Sequence, residues 1–317
     1  MKKLSFIIPC YNEEKVINHL YERLLNITEK IPDYNCEFIF INDGSSDRTV
    51  DIIKSLALNN ESVSFYSFSR NFGHQAAVSC GIEHCDSDLA VIIDADLQDP
   101  PEIIPNMIAL YEKTKAPVIY GKRTARKGEN VFKKITAYFF YRIINLLSDV
   151  KFPVDTGDFR LIDKKVISAY KNFNERPKYI RGLISWMGFE QIPYEYERDA
   201  RFAGETKYTF KKMLKLALTG ILSFSTKPLR VSLYFGITSL MVAAIYGFYI
   251  FIRYLSGDET LVTGWSSIII VSLFIGGVQL ISLFTISQYL GSLFIETKKR
   301  PEYIISEVIK NRHIENK

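Results

Sequence analysis

Two stretches of this chain, Val231–Ile252 and Leu261–Ile295, contain no charged side chain. A helix needs roughly 20 apolar residues to cross the hydrocarbon of a bilayer, and both stretches are longer than that. They are apolar on every side, so neither offers a polar face to water. A pair of buried core helices is the competing reading, and the length and all-round apolarity argue against it. The chain is therefore expected to combine a polar domain with two membrane spans.

Charges around the stretches give an orientation. Lys227 and Arg230 precede the first, and Lys298, Lys299 and Arg300 follow the second. The connection, Arg253–Gly264, sets one Arg against Asp258 and Glu259. The excess of Lys and Arg at the outer flanks places both termini in the cytoplasm and the short loop outside. Met1-Lys-Lys is basic, but Leu4–Pro9 is too short for a signal-peptide core and reads as a first β-strand. The expected division is a cytosolic domain over 1–205, a juxtamembrane amphipathic segment over 206–230, spans over 231–255 and 265–295, an external loop over 256–264 and a cytosolic tail over 296–317.

The N-terminal part alternates strand-like and helix-like segments. Leu4–Pro9, Glu37–Asn42, Ser62–Ser67, Leu89–Asp94 and Pro117–Tyr120 read as strands. Glu13–Lys30, the segment from Ser46 to Leu56, His74–His84 and Ile103–Lys113 read as helices, with Val16, Leu20, Leu24 and Ile27 on one face of the first. Repeated βα units imply an α/β fold with a mostly parallel sheet, whose ligands bind beyond the carboxyl ends of the strands. Two further segments are amphipathic and basic, Phe132–Leu147 and Thr209–Ser225. Each fits either the membrane interface or an ordinary surface helix, and the interface reading is favoured for the second.

The net charge of +5 is modest, and its Lys-rich share lies beside the first span. That fits an anionic membrane surface rather than nucleic acid. Cys10, Cys36, Cys80 and Cys85 all fall in the expected cytosolic part, where thiols stay reduced. Cys80 and Cys85 flank His84, but no second ligand pair has zinc-site spacing.

Asp94-Ala-Asp96 ends the apolar run Leu89–Ile93. On an extended strand, residues i and i+2 point to one side, so both carboxylates would face the same crevice. Such a pair can hold a hard cation that shares its shell with substrate phosphates. Two solvated loop acids are the plainer alternative. No G-x-G-x-x-G follows the first strand, which disfavours a dinucleotide site. That strand ends instead in Pro9-Cys-Tyr11-Asn12-Glu13-Glu14.

SFIIPCYNEE, FIFINDGSSDRT, SRNFGHQAAVSCGI, VIIDADLQDPPE, DTGDFRLIDKKV, RFAGETKYTFKKML and QYLGSLFIETKKRPEYII occur in that order. Together they resemble glycosyltransferase family 2, with the GT-A Rossmann-like nucleotide-sugar fold, and within it the polyprenyl-phosphate glycosyltransferases. The resemblance implies that Pro9, Tyr11, Asn12 and Glu14 hold base and ribose, and that Asp43 and Asp94 contact the nucleotide. It implies Asp94, Asp96 and Gln98 as ligands of Mg²⁺ or Mn²⁺. Arg123 and Arg126 are placed on phosphate, as are Arg201 and Lys207, with a solvated basic loop and membrane-surface charges as the respective alternatives. Asp158 and Asp155 occupy the position where the family often places a base, with a structural role equally open.

The resemblance further implies a UDP-sugar donor, with glucose first and N-acetylglucosamine as an alternative. It implies an undecaprenyl-phosphate acceptor, a bacterial inner membrane and a homo-oligomer, a tetramer in the family. No Gln-x-x-Arg-Trp motif is present, which argues against a processive polymer synthase. Two other classes compete. A catalytically silent nucleotide-sugar-binding anchor would tolerate loss of Asp43, Asp94 or Asp96, yet all three are present. A nucleotidyltransferase would want a Gly-rich loop where this chain has Tyr-Asn-Glu-Glu.

Overall fold

The computed structural model describes residues 1–124, 156–176, 178–197, 225, 227–256 and 264–315. They form two compact units: the described residues up to 197 together with 300–315, and those from 225 to 299.

The first unit is built on strands β1 (Lys2–Cys10), β2 (Tyr34–Asn42), β3 (Val63–Phe68) and β4 (Leu89–Ile92), all mutually parallel. Helices α1 (Ile17–Thr28), α2 (Thr49–Asn59) and α3 (His74–His84) connect them. The strands read as near-continuous hydrophobic runs because both faces are covered. Phe6, Ile8, Phe38 and Phe40 pack with Leu20 and Leu24 of α1 and Ile53 of α2, and the Phe6 and Phe38 rings stack at 5.2 Å. On the other face α3 approaches closely. A Cβ on its Gly81 would lie 2.2 Å from Ile7 Cγ2, so only glycine allows that approach.

Beyond β4 the sheet departs from the expected parallel order. A short 3₁₀ turn at Pro101–Ile103 leads into α4 (Ile104–Thr114) and β5 (Val118–Arg123). β5 does not join β4. The strand β6 (Thr156–Asp163) lies between them, antiparallel to both. Helices α5 (Lys164–Lys171) and α6 (Ile180–Trp186) precede β7 (Gln191–Tyr196), which pairs with β5 in parallel. Hydrophobic period shows that a strand exists but not which strand it pairs with, so β6 was not foreseen. Its register matters: Ile92 pairs with Arg160, so two residues further on Asp158 comes alongside Asp94.

The second unit contains α7 (Lys227–Leu255) and α8 (Trp265–Thr297). Leu233–Arg253 and Phe274–Thr297 are long and apolar enough to cross a membrane, and neither is buried within the protein. Their side chains are exposed, Leu240 by 72% and Leu280 by 70%, unlike those of core helices. Residues 227–230, expected in the juxtamembrane segment, are already part of α7.

Part of the expected tail, residues 305–310 and 313–315, joins the sheet. Ile305–Lys310 forms β8, antiparallel to β3, and His313–Glu315 forms β9 beside it. Val308 and Ile309 are buried to within 2%. The described strands thus form one sheet in the order β7-β5-β6-β4-β1-β2-β3-β8-β9.

Candidate active site

The loops after β1 and β2 are stitched to each other at the carboxyl edge of the sheet. Pro9 has no N–H to give, and β4 ends at Ile92, opposite Ile7, so no ladder partner is lost on that side. Asn12 takes a left-handed conformation at φ 55°, and its side chain accepts from Ser46 N–H at 2.8 Å. Glu14 Oε2 accepts from Arg48 N–H at 3.1 Å, and Asp47 Oδ2 accepts from Glu14 N–H at 3.2 Å. Asn12 and Glu14 therefore shape the two loops in this structure, while Tyr11, 39% exposed, presents its ring above them.

Asp43, expected to contact the nucleotide, is taken up by backbone amides in this structure. It is 3% exposed, and its carboxylate accepts from Phe72 N–H at 2.7 Å and Gly73 N–H at 3.0 Å. Burial raises its pKa, and those N–H groups work against the rise. The carboxylate fixes the turn that starts α3, and so fixes the two side chains that follow, His74 and Gln75.

His74 and Gln75 converge on Asp158. The imidazole Nε2 lies 3.2 Å from Asp158 Oδ2 and 3.5 Å from Asp94 Oδ1. Gln75 Nε2 donates to Asp158 Oδ2 at 3.2 Å. Arg181, at the start of α6, donates from Nε to Oδ1 at 2.7 Å and from Nη2 to Oδ2 at 3.1 Å. Burial opposes ionisation of Asp158, but Arg181 and His74 overcome it and hold the carboxyl well below the usual range. Burial likewise opposes charge on His74, yet Asp94 and Asp158 raise it to about 9. Asp158, expected in orientation or base work, is thus clamped between His74, Gln75 and Arg181. Its partners His74, Gln75 and Arg181 were missed as site residues. The first two begin a helix at a strand's carboxyl end, a position that points to ligands. Nothing around Arg181 in the sequence gave a comparable signal.

Asp94 and Asp96 lie just past β4 in a turn, not on an extended strand. Leu97 has φ 57°, and Asp96 Oδ1 accepts from Gln98 N–H at 3.1 Å. Burial nevertheless alternates along the turn. Asp94, Asp96 and Gln98 are partly exposed, whereas Ala95, Leu97 and Asp99 are buried. Asp94 Oδ1 is enclosed yet accepts no hydrogen bond. Burial is the main reason its pKa rises to about 6, with Asp158, Asp99 and Asp96 adding to the effect against His74.

Such a crowded carboxylate suits a cation. Among the described residues, however, no group of three His, Cys, Asp or Glu could hold a metal ion. The donor set is two carboxylates, the kind of partial shell that phosphates and water complete for Mg²⁺.

Arg123, expected on phosphate or in a solvated loop, is paired within the fold in this structure. Its side chain is 12% exposed, and Nη2 lies 3.4 Å from the buried Asp99, which also accepts from Tyr196 Oη at 2.5 Å. Burial disfavours the guanidinium charge, but Asp99 and Tyr196 outweigh it and raise the pKa. This buried triad supports the turn from beneath. Asp155, Arg126, Arg201 and Lys207 lie outside the described residues, as do Phe132–Leu147 and all of Thr209–Ser225 except its last residue.

A family model described as Glycosyl transferase family 2 matches residues 5–171, which include β1 to α5 and the acidic turn. The chain belongs to glycosyltransferase family 2. Its α/β sheet is the GT-A arrangement expected of that family, followed by two helices apolar enough to span a membrane. The uncharacterized glycosyltransferase YkcC of Bacillus subtilis (strain 168) is 45% identical over 313 residues, covering 99% of this chain and 95% of that protein. The prophage bactoprenol glucosyl transferase homolog of Escherichia coli (strain K12) is 39% identical over 308 residues, 97% of this chain and all of that one. The bactoprenol glucosyl transferase of Shigella phage SfII is also 39% identical, over 96% of this chain and 98% of its own.

Proposed function

We propose that this family member transfers one glucose from UDP-glucose to the phosphate of a polyprenyl lipid, releasing UDP at the cytoplasmic face of the membrane. The observation that carries the proposal is the acidic turn Asp94-Ala-Asp96 beside the His74–Asp158–Arg181 cluster, in a chain with two apolar helices. Relatives named as bactoprenol glucosyl transferases match along nearly the whole chain, and they support both the sugar and the lipid.

The chemistry is a displacement at the anomeric carbon. An oxygen of the lipid phosphate forms the new C–O bond, while the bond to the UDP oxygen breaks and its electron pair leaves with UDP. A phosphate monoester has a second pKa of about 6, so the acceptor is largely dianionic at neutral pH and needs no proton removed. The Asp158 carboxylate, clamped by Arg181 and His74, then has an orienting part rather than a proton to take. Asp94 and Asp96 would hold a divalent cation, Mg²⁺ or Mn²⁺, which when bound neutralises the charge gathering on the diphosphate. His74, with Nε2 3.5 Å from Asp94 and 3.2 Å from Asp158, adds a hydrogen-bonding imidazole to the same wall. Tyr11 offers an exposed ring on which the uracil can stack. Cations at both flanks of the spans favour a cytoplasmic active site, where nucleotide sugars are supplied.

The test is a donor panel. Full-length protein in detergent, given undecaprenyl phosphate and Mg²⁺, should release UDP fastest from UDP-glucose. Faster release from UDP-N-acetylglucosamine would reassign the sugar, and no release from any donor would remove the enzymatic reading.

A further inference from the structure

In the segment after α8, Arg300-Pro-Glu302-Tyr303, the side chains of Glu302 and Tyr303 have no part in the reading above, yet both enter a buried polar cluster. Glu302 Oε1 accepts from Lys178 N–H at 3.3 Å, and Oε2 accepts from Ser79 Oγ at 3.1 Å. Ser79 is fully buried on α3 and also accepts from Tyr170 Oη at 3.0 Å. Tyr303 stacks on Phe68 with centroids 4.9 Å apart and donates its hydroxyl to Glu83. Glu83 pairs with the Lys178 ammonium, whose side chain is 6% exposed and lies 4.9 Å over the Tyr170 ring. Arg176 donates to the Arg300 carbonyl.

These contacts converge on one short stretch, residues 176–181, which leads into α6. That helix starts without a side-chain cap, so its first N–H groups depend on other parts of the fold. Ile180 N–H finds Gln75 Oε1 at 3.1 Å, and two residues earlier Lys178 N–H finds Glu302. The next residue after Ile180 is Arg181, which forks onto Asp158.

We propose that Glu302 is a positioning residue: by holding the Lys178 backbone against α3, it sets where α6 begins and thereby where Arg181 meets Asp158. The inference rests on the reading of the Asp158 cluster as part of the active site. Glu302 touches neither Arg181 nor Asp158, so it acts only through the stretch it holds. Both of its hydrogen bonds go to neutral donors, an amide and a hydroxyl, so the oxygen acceptor matters more than the charge, to which the nearby Lys178 ammonium adds a smaller attraction. Glu83 differs, because its partner is the Lys178 ammonium.

The test uses full-length protein in detergent with the variants E302A, E302Q, E83Q and Y303F. Two readouts are followed: amide hydrogen exchange over residues 178–186, which needs no substrate, and kcat and KM for transfer. Misplacing a site group by about 1 Å can cost on the order of a hundredfold, so E302A is expected to lower kcat at least about tenfold with donor KM within about twofold. Its exchange over 178–186 should be faster while the rest of the sheet keeps its protection. E302Q, which keeps an oxygen acceptor, should restore both, and E83Q should not. Y303F removes a single hydroxyl and keeps the ring stack, so it reports on the same stretch even where E302A does not fold; slower turnover with faster exchange at 178–186 is expected. Wild-type exchange and kcat in E302A, or equal loss in E302A and E302Q, would overturn the proposal. A wild-type protein that transfers no sugar would instead overturn the reading of the site, and the exchange data would still judge the role of Glu302.

Discussion

Removing the Arg181 guanidinium gives the sharpest test of the clamp around Asp158. In R181A, Asp158 Oδ2 keeps His74 and Gln75 as partners, each at 3.2 Å, while Oδ1 loses the Nε bond at 2.7 Å. The Asp158 side chain is only 6% exposed, so water does not readily replace the lost donor. Breaking a buried ion pair from one side costs ~3–5 kcal/mol, and with two donors surviving the low end, about 3 kcal/mol, is expected. For a sizeable domain each kcal/mol moves Tm by ~2–4 °C, which gives a fall of about 6–12 °C. The assay is thermal unfolding of the full-length protein in detergent, followed by intrinsic fluorescence. R181K keeps the charge but loses the fork and should fall about half as far. In R181A/D158A the orphaned carboxylate is gone, so the double variant should be more stable than the sum of the single losses by at least about 1 kcal/mol. An unchanged Tm in R181A, or strictly additive losses, would refute the clamp.

Other perturbations test the fold and the acidic turn. I309A should destabilise by ~2–5 kcal/mol, as for a fully buried core residue; a shift of less than 1 °C in Tm would show that β8 adds nothing to the sheet. G44A should impair folding, because Gly44 sits at φ +65° and a Cβ would lie 2.4 Å from the Arg70 backbone carbonyl carbon. That left-handed conformation alone costs ~1–2 kcal/mol for a residue with a side chain, and expression of soluble G44A at wild-type Tm would contradict the geometry. EDTA should stop UDP release and excess Mg²⁺ or Mn²⁺ should restore it, whereas full activity in the chelator would exclude a metal at Asp94 and Asp96.

How much the sequence discloses differs along the chain. The four parallel strands are apolar runs bounded by turn residues, so their extents are readable to within three residues. The two long apolar helices are equally plain, because absence of charge over such lengths has few other uses. Pairing partners are a different matter. β6 enters the sheet between β4 and β5, and only its register against β4 places Asp158 beside Asp94. β8 is hard to read as a strand because its ISEVIK sequence has no period-2 alternation, and its buried pair, Val308 and Ile309, is adjacent.

Within the site, residue type and position at a strand end pointed to Asp94, Asp96 and Asp43, and the family resemblance to Asp158, but not to what each one does. Asp43 spends its oxygens on the Phe72 and Gly73 amides, and Arg123 is committed to Asp99. Both have the right type for ligand contact and are taken up by the scaffold. Long-range partners such as Arg181 leave no trace in local spacing, since their meaning comes from a carboxylate on another strand.

The most direct test is the mass spectrum of the lipid product. Wild-type protein with undecaprenyl phosphate, UDP-glucose and Mg²⁺ should yield lipid phosphate heavier by one hexose. D96A, purified with an unchanged melting profile, should yield none. A failure to form the hexosyl lipid with any UDP-sugar, or the same yield from D96A, would contradict a glycosyltransferase centred on the acidic turn.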